Sequence, residues 1–309
     1  MRAKSIPAAV VLSVFLLSLT SCIVGVGDWQ RFNKDFHYSY PLQPGGRLTV
    51  ETFNGSVDIS GWDQDTVDIS GTKYGPSQED ADELKVNVDA SADSVAVRVP
   101  RPSLRRNNQG ARLVIKVPRG ARLERITTSN GSIRTQDGSG PAKLRTDNSS
   151  IRVMDLRGDL EAETSNSSIE LDGVDGNARV HTSNGHIRAE RLGGLLDAST
   201  SNSSVHADIT RTDRPVRLDT SNGAVELALP PRFASDVHVD TNNGAITVRV
   251  PEGVNARLSA RTSNSSISTE LELRTRGEVG KNRLEGILGD GGPLIDLNTS
   301  NGSIHLLRR

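Results

Sequence analysis

The organising motif of the chain is Leu160-Glu-Ala-Glu-Thr-Ser-Asn-Ser-Ser-Ile-Glu-Leu171. Its order of an apolar residue, Thr, Asn, Gly or Ser, and Ile or Val recurs ten times. The ten copies have their asparagines at Asn54, Asn130, Asn148, Asn166, Asn184, Asn202, Asn222, Asn243, Asn264 and Asn301. Successive asparagines are 18 residues apart from Asn130 to Asn202, then 20, 21, 21 and finally 37 residues apart. A nearly fixed period of this kind indicates a repeat fold.

The residues around each asparagine form columns. Thr stands two residues before every one of the ten asparagines, and Ile or Val stands three residues after it. These positions alternate with polar ones, so they face one side of a strand. Eighteen residues are too few for two packed helices but suffice for two strands and two turns. We therefore predict an all-β fold, a parallel β-solenoid of about ten coils with a repeat of 18–21 residues, stacked roughly 4.8 Å apart.

The asparagine is expected to form a corner of each coil. Asn tolerates left-handed backbone angles, and its amide can bond the same amide in the coils above and below. Gly follows it in six copies, where we expect a positive φ. The alternative is an antiparallel β-meander of Asn-Gly hairpins, because that dipeptide is typical of two-residue hairpin turns. The four Asn-Ser copies (Asn148, Asn166, Asn202 and Asn264) and the near-constant period favour parallel stacking.

Composition limits the classes of function. The chain of 309 residues has 37 Lys and Arg against 38 Asp and Glu, and this balance argues against a nucleic-acid partner. Apolar residues make up 34% and aromatic residues 3%. That content is low for a globular core but sufficient for a thin solenoid filled by Thr, Val, Ile, Leu and Ala.

Residues 1–22 are predicted to be a targeting segment rather than part of the fold. Arg2 and Lys4 precede an apolar run from Ile6 to Leu19, and Leu19-Thr-Ser-Cys22 follows. This ending resembles the lipobox of bacterial lipoproteins, with Cys22 as the lipidated residue and new N-terminus. Cys22 is the one cysteine of the chain. The alternatives are an ordinary cleaved signal peptide and an uncleaved anchor, for which the apolar run is short.

The rest of the chain divides into two predicted parts. Residues 23–44 are expected to be a tether whose aromatic residues, among them Trp29, Phe36 and Tyr38, cover the open apolar end of the solenoid. A membrane or partner contact is the alternative role for these rings. Residues 45–309 are expected to be the solenoid, with one short helical turn near Pro76–Leu84.

No pattern of residues predicts catalysis, a cofactor or a metal site. A metal site needs three or four converging ligands. His181 and His186 flank the Asn184 corner with no Cys to join them, and His206 and His305 are expected several coils apart. In the stacked coils Glu170 is expected between Arg152 and Arg188, which is a charge ladder worth up to about 1 kcal/mol per contact. The prediction is therefore that there are no catalytic, cofactor-binding or metal-binding residues.

The chain resembles the DUF4097 family, the putative-adhesin or toast-rack β-repeat domains of bacterial envelopes. The resemblance rests on Leu48–Trp62, the Val117-Pro-Arg-Gly120 turn, the repeated Thr-x-Asn-Gly-x-Ile units and the closing Thr299–Ile304. It covers roughly residues 45–309. The resemblance implies a right-handed β-helix-like fold, an envelope location and links to adhesion or envelope-stress signalling. It implies no catalytic residues.

These expectations combine into one main functional hypothesis. The chain is expected to be a non-enzymatic envelope lipoprotein, held to the outer membrane or facing the periplasm through lipidated Cys22, with the solenoid as a binding or scaffolding surface. Its candidate partners are an envelope protein or a polysaccharide. The alternatives are an accessory protein of envelope-stress sensing and a polysaccharide-active β-helix enzyme. A cleft lined by clustered carboxylates and arginines would favour the enzyme.

Overall fold

The computed structural model describes residues 32–103, 108–211, 213–275 and 280–309. Strands dominate these residues. In chain order they are β1 (Phe32–Pro41), β2 (Arg47–Thr52), β3 (Val57–Trp62), β4 (Thr66–Gly75), β5 (Asn87–Ala90), β6 (Ser94–Val99), β7 (Gly110–Pro118), β8 (Arg122–Thr128), β9 (Ile133–Gln136), β10 (Ala142–Thr146), β11 (Ile151–Leu156), β12 (Leu160–Thr164), β13 (Ile169–Val174), β14 (Ala178–Thr182), β15 (Ile187–Gly193), β16 (Leu196–Thr200), β17 (Val205–Arg211), β18 (Val216–Thr220), β19 (Val225–Ala228), β20 (Val237–Thr241), β21 (Ile246–Val250), β22 (Ala256–Thr262), β23 (Ile267–Thr269), β24 (Arg274–Thr275), β25 (Arg283–Leu288), β26 (Leu294–Thr299) and β27 (Ile304–Arg308). One short helix, α1 (Gln78–Glu83), lies between β4 and β5.

The strands form two long sheets. Sheet A has the order β1-β4-β7-β3-β9-β11-β13-β15-β17-β19-β21-β27-β23, and sheet B has the order β24-β25-β22-β26-β20-β18-β16-β14-β12-β10-β8-β2-β6-β5. In the regular coils, strands that follow each other in the chain, such as β12 and β13, lie in different sheets. Each instead pairs in parallel with the equivalent strand of the next coil, as β12 does with β14 and β13 with β15. The β-solenoid prediction is confirmed, and the antiparallel meander is excluded.

The register places like residues above one another. Thr164 pairs with Thr182 in sheet B, and Ile169 pairs with Ile187 in sheet A. The Thr column is at most 7% exposed in every copy, and the Ile or Val column is fully buried except at Ile267 in a terminal coil. The two sheets therefore enclose one narrow apolar core that runs through all the coils.

The buried threonines that precede the asparagines form hydrogen bonds between coils, except Thr52, whose hydroxyl donates to the carbonyl of Asn54 in its own turn. The Thr182 hydroxyl donates to the carbonyl of Ser167 in the preceding coil at 3.0 Å and accepts from the backbone N–H of Gly185 at 3.2 Å. The same donation to a neighbouring coil is made by Thr128, Thr146, Thr164, Thr200, Thr220, Thr241, Thr262 and Thr299. The column thus adds polar links between coils without leaving an unpaired group in the core.

The glycine that follows Asn is present for a different reason from the one expected. Of the six Asn-Gly corners, Gly55 alone has a positive φ, of 113°. At Gly185 a larger residue is excluded by a steric clash, because its Cβ would lie 1.7 Å from the carbonyl oxygen of Ser167. The expectation of positive φ is therefore wrong at the other five corners, where close packing of neighbouring coils excludes a side chain in this backbone conformation.

The order of the coils in space differs from their order in the chain at both ends. The coil of β26 and β27 lies between the coil of β20 and β21 and the coil of β22 and β23. Similarly, β6 and β7 stack outside β2 and β3, so the first Asn coil is internal. Coils with the same inward columns can stack on one another whatever their place in the chain. The repeat alone therefore does not specify the order in which the terminal coils stack.

Antiparallel strands cover one end of the parallel stack in both sheets and the other end in sheet B. At one end β4 pairs antiparallel with β7, β1 with β4, and β5 with β6. At the other end β25 pairs antiparallel with β22. Phe32–Pro41, part of the predicted tether, is thus the edge strand β1, and Phe36, Tyr38 and Tyr40 are half-buried against the core. The predicted helical turn is α1, capped by the Ser77 hydroxyl.

Candidate functional site

The asparagine corner forms a continuous chain of side-chain amides. Each amide nitrogen from Asn148 onward donates to the Oδ1 of the neighbouring coil at 2.7–3.0 Å, in the spatial order Asn130, Asn148, Asn166, Asn184, Asn202, Asn222, Asn243, Asn301 and Asn264. Asn54 instead donates to the carbonyl of Gln109 at 2.8 Å. In four copies the same nitrogen also donates to a backbone carbonyl at 3.3 Å. Donors used in this way stabilise the stack and are not free to hold a ligand.

The outward face of sheet B has two rows of charged side chains in register. In the first row positive and negative residues largely alternate, and its members are Lys143, Glu161, Arg179, Asp197, Arg217, His238 and Asp296. The second row consists of Arg145, Glu163, His181, Ser199, Asp219, Asp240 and Asn298. The contacts are exposed ion pairs, such as Arg145 to Glu163 at 2.6 Å, and each contributes little to stability.

The outward face of sheet A holds the charge ladder that the sequence predicts, with one difference. Glu170 lies in register between Arg152 and Arg188. Arg152 Nε donates to Glu170 at 2.8 Å, whereas Arg188 bonds to Glu190 two residues along its own strand. The ladder is therefore a set of pairs rather than one continuous chain of contacts.

A groove lies at the second corner of the coils, where the chain returns from sheet A to sheet B. We call it the corner groove and define it by its lining residues Arg119, Asp137, Asp155, Arg157 and Arg191, with Gly138 and Gly173 among the others. It encloses about 540 Å³. Successive coils contribute equivalent residues, so the groove follows the axis of the solenoid.

Residues in the left-handed backbone conformation recur along this groove. Asp137, Asp155 and Arg191 have φ values of 58°, 49° and 54°, and Gly173 at the equivalent place has 75°. These four residues are 18 apart, so they form one column of left-handed residues. This conformation is uncommon for residues other than Gly, Asn and Asp, and Arg191 is the least suited of the four. Such strain is frequent at functional sites.

Ion pairs fix most of the groove's charged side chains. Arg119 Nε donates to Asp63 at 2.8 Å, and Arg191 contacts Asp172 at 2.5 Å and Asp155 at 3.2 Å. The hydrogen bond from Arg191 lowers the pKa of the Asp172 carboxyl, and the hydrogen bond from Arg119 does the same for the pKa of Asp63. These carboxylates stay ionised at neutral pH.

Arg157 differs from the other arginines of the groove. Its side chain is exposed, and it has no ion-pair partner among the residues that the structure describes. The five N–H donors of its planar guanidinium therefore form no ion pair within the described structure. Their geometry suits a carboxylate, sulfate or phosphate group of a ligand.

The histidines considered from the sequence do not gather. His181 bonds to Ser199 Oγ at 2.8 Å, His206 lies 3.4 Å from Glu226, and His305 bonds to Ser268 and Ser303. A different set converges on the outward face of sheet B. Asp219, His238 and Asp240 place one ligand atom each within 4.8 Å of one another.

Sequence reasoning missed this set, although the fixed positions of residues relative to each asparagine could have revealed it. Asp219 and Asp240 each stand three residues before an asparagine, and His238 stands two residues before Asp240. The register then aligns Asp219 with Asp240 and Arg217 with His238. Stacking therefore brings together residues of two coils, which lie about twenty residues apart in the chain.

The predicted lipidation residue, Cys22, lies outside the described residues, as do residues 1–31 as a whole. Among the described residues, no helix has the length and apolar character to span a membrane.

Several solved structures are similar to the chain over most of its length. One is a putative cell adhesion protein from Clostridium sporogenes, at 12% identity and TM-score 0.24, covering 89% of this chain and 100% of that one. A putative adhesin from Bacteroides fragilis has 12% identity, TM-score 0.41 and coverages of 88% and 97%. A putative lipid binding protein from Parabacteroides distasonis has 9% identity, TM-score 0.36 and coverages of 91% and 98%. No curated protein sequence matches. Identities and scores at this level transfer no function.

A family model gives a firmer result. The Toastrack model, DUF4097, matches residues 46–238, which is more than half of the chain. The matched part includes the first seven asparagine corners and the whole corner groove. On this match and the two-sheet solenoid, the chain belongs to the Toastrack DUF4097 family.

Proposed function

We propose that the protein is a non-enzymatic lipoprotein of the bacterial cell envelope, anchored through Cys22, whose solenoid binds an envelope polysaccharide in the corner groove. The observation that carries the binding function is the groove itself. It extends over several coils, and it holds fixed Arg–Asp pairs beside the unpaired guanidinium of Arg157. Paired donors and acceptors of this kind suit the vicinal hydroxyls of a sugar chain, and Arg157 suits an acidic substituent.

Lipid anchoring is supported by the sequence of the first 22 residues. The apolar run ends at Leu19-Thr-Ser-Cys22, and Cys22 is the one cysteine of the chain. Acyl chains on Cys22 would hold the solenoid at a membrane surface without a spanning helix. Residues 23–31 then separate the anchor from β1.

Anchoring is tested by changing the lipidated residue. We expect wild-type protein to incorporate a labelled fatty acid and to fractionate with membranes, and Cys22→Ser to lose both properties. Cys22→Ser that still fractionates with membranes and takes up label would contradict lipidation at this residue. Proteolysis of intact cells then distinguishes a surface-exposed protein, which favours adhesion, from a protected one, which favours scaffolding or stress sensing.

Binding in the groove is tested with purified protein and a soluble uronic-acid polysaccharide. We expect Arg157→Ala to weaken binding roughly tenfold or more, because it removes a charge-assisted hydrogen bond. The matched control is Arg122→Ala, which removes an exposed arginine that also lacks a described ion-pair partner but lies on sheet B. Equal binding by wild type and both variants would exclude the corner groove as the binding site.

A polysaccharide-active enzyme is the second candidate, because the groove combines carboxylates with arginines. The ion pairing of the groove favours binding instead, because Asp155 is held by Arg191 at 3.2 Å, whereas glycoside hydrolysis needs one carboxyl group that is free to act as a general acid. Incubation with the same uronic-acid polysaccharide distinguishes binding from catalysis. Release of new chain ends during incubation with wild-type protein, and its loss in Arg157→Ala, would establish the enzyme.

A further inference from the structure

The outward face of sheet B carries a second site that is separate from the corner groove. Asp219 lies on β18, one residue before the buried Thr220 that ends the strand, and His238 and Asp240 lie on the neighbouring strand β20. Because side chains two apart on a strand point the same way, His238 and Asp240 both face outward beside Asp219. Their ligand atoms lie within 4.8 Å of one another, and all three residues are half-buried.

The charges around these residues do not balance. Asp219 and Asp240 are directly in register, so two carboxylates oppose each other across neighbouring coils. Asp296 lies beside them in the next coil, in register with His238. Among the residues that the structure describes, one guanidinium, that of Arg217, contacts the group and donates to Asp219 at 2.7 Å. Three carboxylates against one arginine leave a net negative site that a cation would neutralise.

His238 is held in the orientation that a metal ligand needs. Its Nδ1 lies 3.2 Å from Asp296 Oδ2, and its Nε2 faces Asp240 Oδ2 at 3.8 Å. Asn298 donates to the same Asp296 oxygen at 3.2 Å and holds that carboxylate in place. A carboxylate on one ring nitrogen fixes the tautomer in which the other nitrogen carries the free lone pair. That nitrogen is Nε2, on the side of Asp240.

From this geometry we infer that Asp219, His238 and Asp240 bind a divalent transition-metal ion, with Zn²⁺ as the best match, and that Asp296 positions His238. The imidazole selects zinc, cobalt or nickel over calcium and magnesium, which prefer oxygen ligands. Zinc ligands lie about 2.0–2.2 Å from the ion and so about 3.3–3.6 Å from one another in a tetrahedron, so atoms as far as 4.8 Å apart must close by up to about 1.5 Å. Rotation of the half-buried carboxylates supplies this movement. Water or a group of a partner completes the coordination on the solvent side.

The experiment uses the purified chain carrying Cys22→Ser, because this change removes the one thiol that could itself bind zinc. Zinc is titrated by calorimetry, and cobalt is titrated by its visible absorption. We expect one equivalent of zinc to bind with a micromolar Kd and calcium to bind far more weakly. His238→Ala and Asp240→Asn each weaken zinc binding at least tenfold, and Asp296→Asn weakens it about tenfold through the outer shell.

Two further variants make the test specific. His206→Ala removes another histidine beside a carboxylate, Glu226 at 3.4 Å, on the outward face of sheet A, and leaves zinc binding unchanged. Arg217→Ala tightens binding, because it frees Asp219 from its ion pair. Absence of zinc binding at about 100 µM, or equal affinity in wild type and His238→Ala, overturns the assignment. Thermal unfolding without metal checks that each variant is folded, and the isosteric Asp240→Asn retains the shape of the site.

Discussion

Replacing Ile169 by Asp is expected to unfold the solenoid. Ile169 has no exposed surface and lies in sheet A between Ile151 and Ile187 of the two adjacent coils. A carboxylate there would be buried without a partner, in a core only two sheets thick. We expect the free energy of unfolding to fall by more than about 4 kcal/mol, a large part of the stability of a typical domain. Urea unfolding followed by circular dichroism measures the loss.

Two other variants keep this prediction testable if Ile169→Asp does not fold at all. Ile169→Val removes one methylene from the same place and should cost about 0.5–1.5 kcal/mol. Gln136→Asp introduces the same carboxylate at an exposed outward position of sheet A, between Ser60 and Met154, and should change stability little. An unfolding free energy that barely moves in Ile169→Asp would mean that the inward column is misassigned.

The same chemical change, Thr to Val, is expected to act in opposite directions at two buried sites. Thr182→Val removes a hydroxyl that donates to Ser167 of the preceding coil and accepts from Gly185. The buried N–H of Gly185 and the part-buried carbonyl of Ser167 then lose this partner, so stability should fall by about 1–3 kcal/mol. Thr135 is also buried, but its hydroxyl has no partner in the described part of the chain. Thr135→Val should therefore raise stability, by about 1 kcal/mol.

Val and Thr have nearly the same shape, so neither change opens a cavity, and each variant serves as the control for the other. Denaturant midpoints for the two variants and the double variant measure the effects. If both variants were stabilised, the hydrogen bonds of the Thr column would contribute nothing, and the column would be only a filler of the core. If both were destabilised, Thr135 would have a partner that the geometry does not reveal.

The sequence predicted most of the features that repeat within one coil. Alternation at period two identified the inward Thr and Ile columns, because a strand that buries one face has no other way to arrange its side chains. The asparagine corner followed from the same periodicity. The glycine after it was explained wrongly, since the need comes from the carbonyl of the neighbouring coil, 1.7 Å from a Cβ at Gly185, rather than from a positive φ.

Contacts between coils could be predicted only in part. Stacking by a constant step placed Glu170 between Arg152 and Arg188, as the structure has it. It could not show that Arg188 turns to Glu190, because an exposed arginine can reach several acids at similar energy. The corner groove was also missed. Its lining residues come from turns whose sequence varies between coils. There the alternation of apolar and polar residues does not predict which side chains come together.

The sequence by itself determined the fold class, the period and the inward faces of this protein, because each follows from local alternation of apolar and polar residues. Only the tertiary structure decided which coil lies next to which. Every coil presents the same inward columns and the same backbone edges, so any coil can stack on any other. That choice puts the coil of Asn301 between those of Asn243 and Asn264. It also brings Asp296 beside His238, a pairing that distance along the chain could not suggest, because stacking joins residues 58 apart.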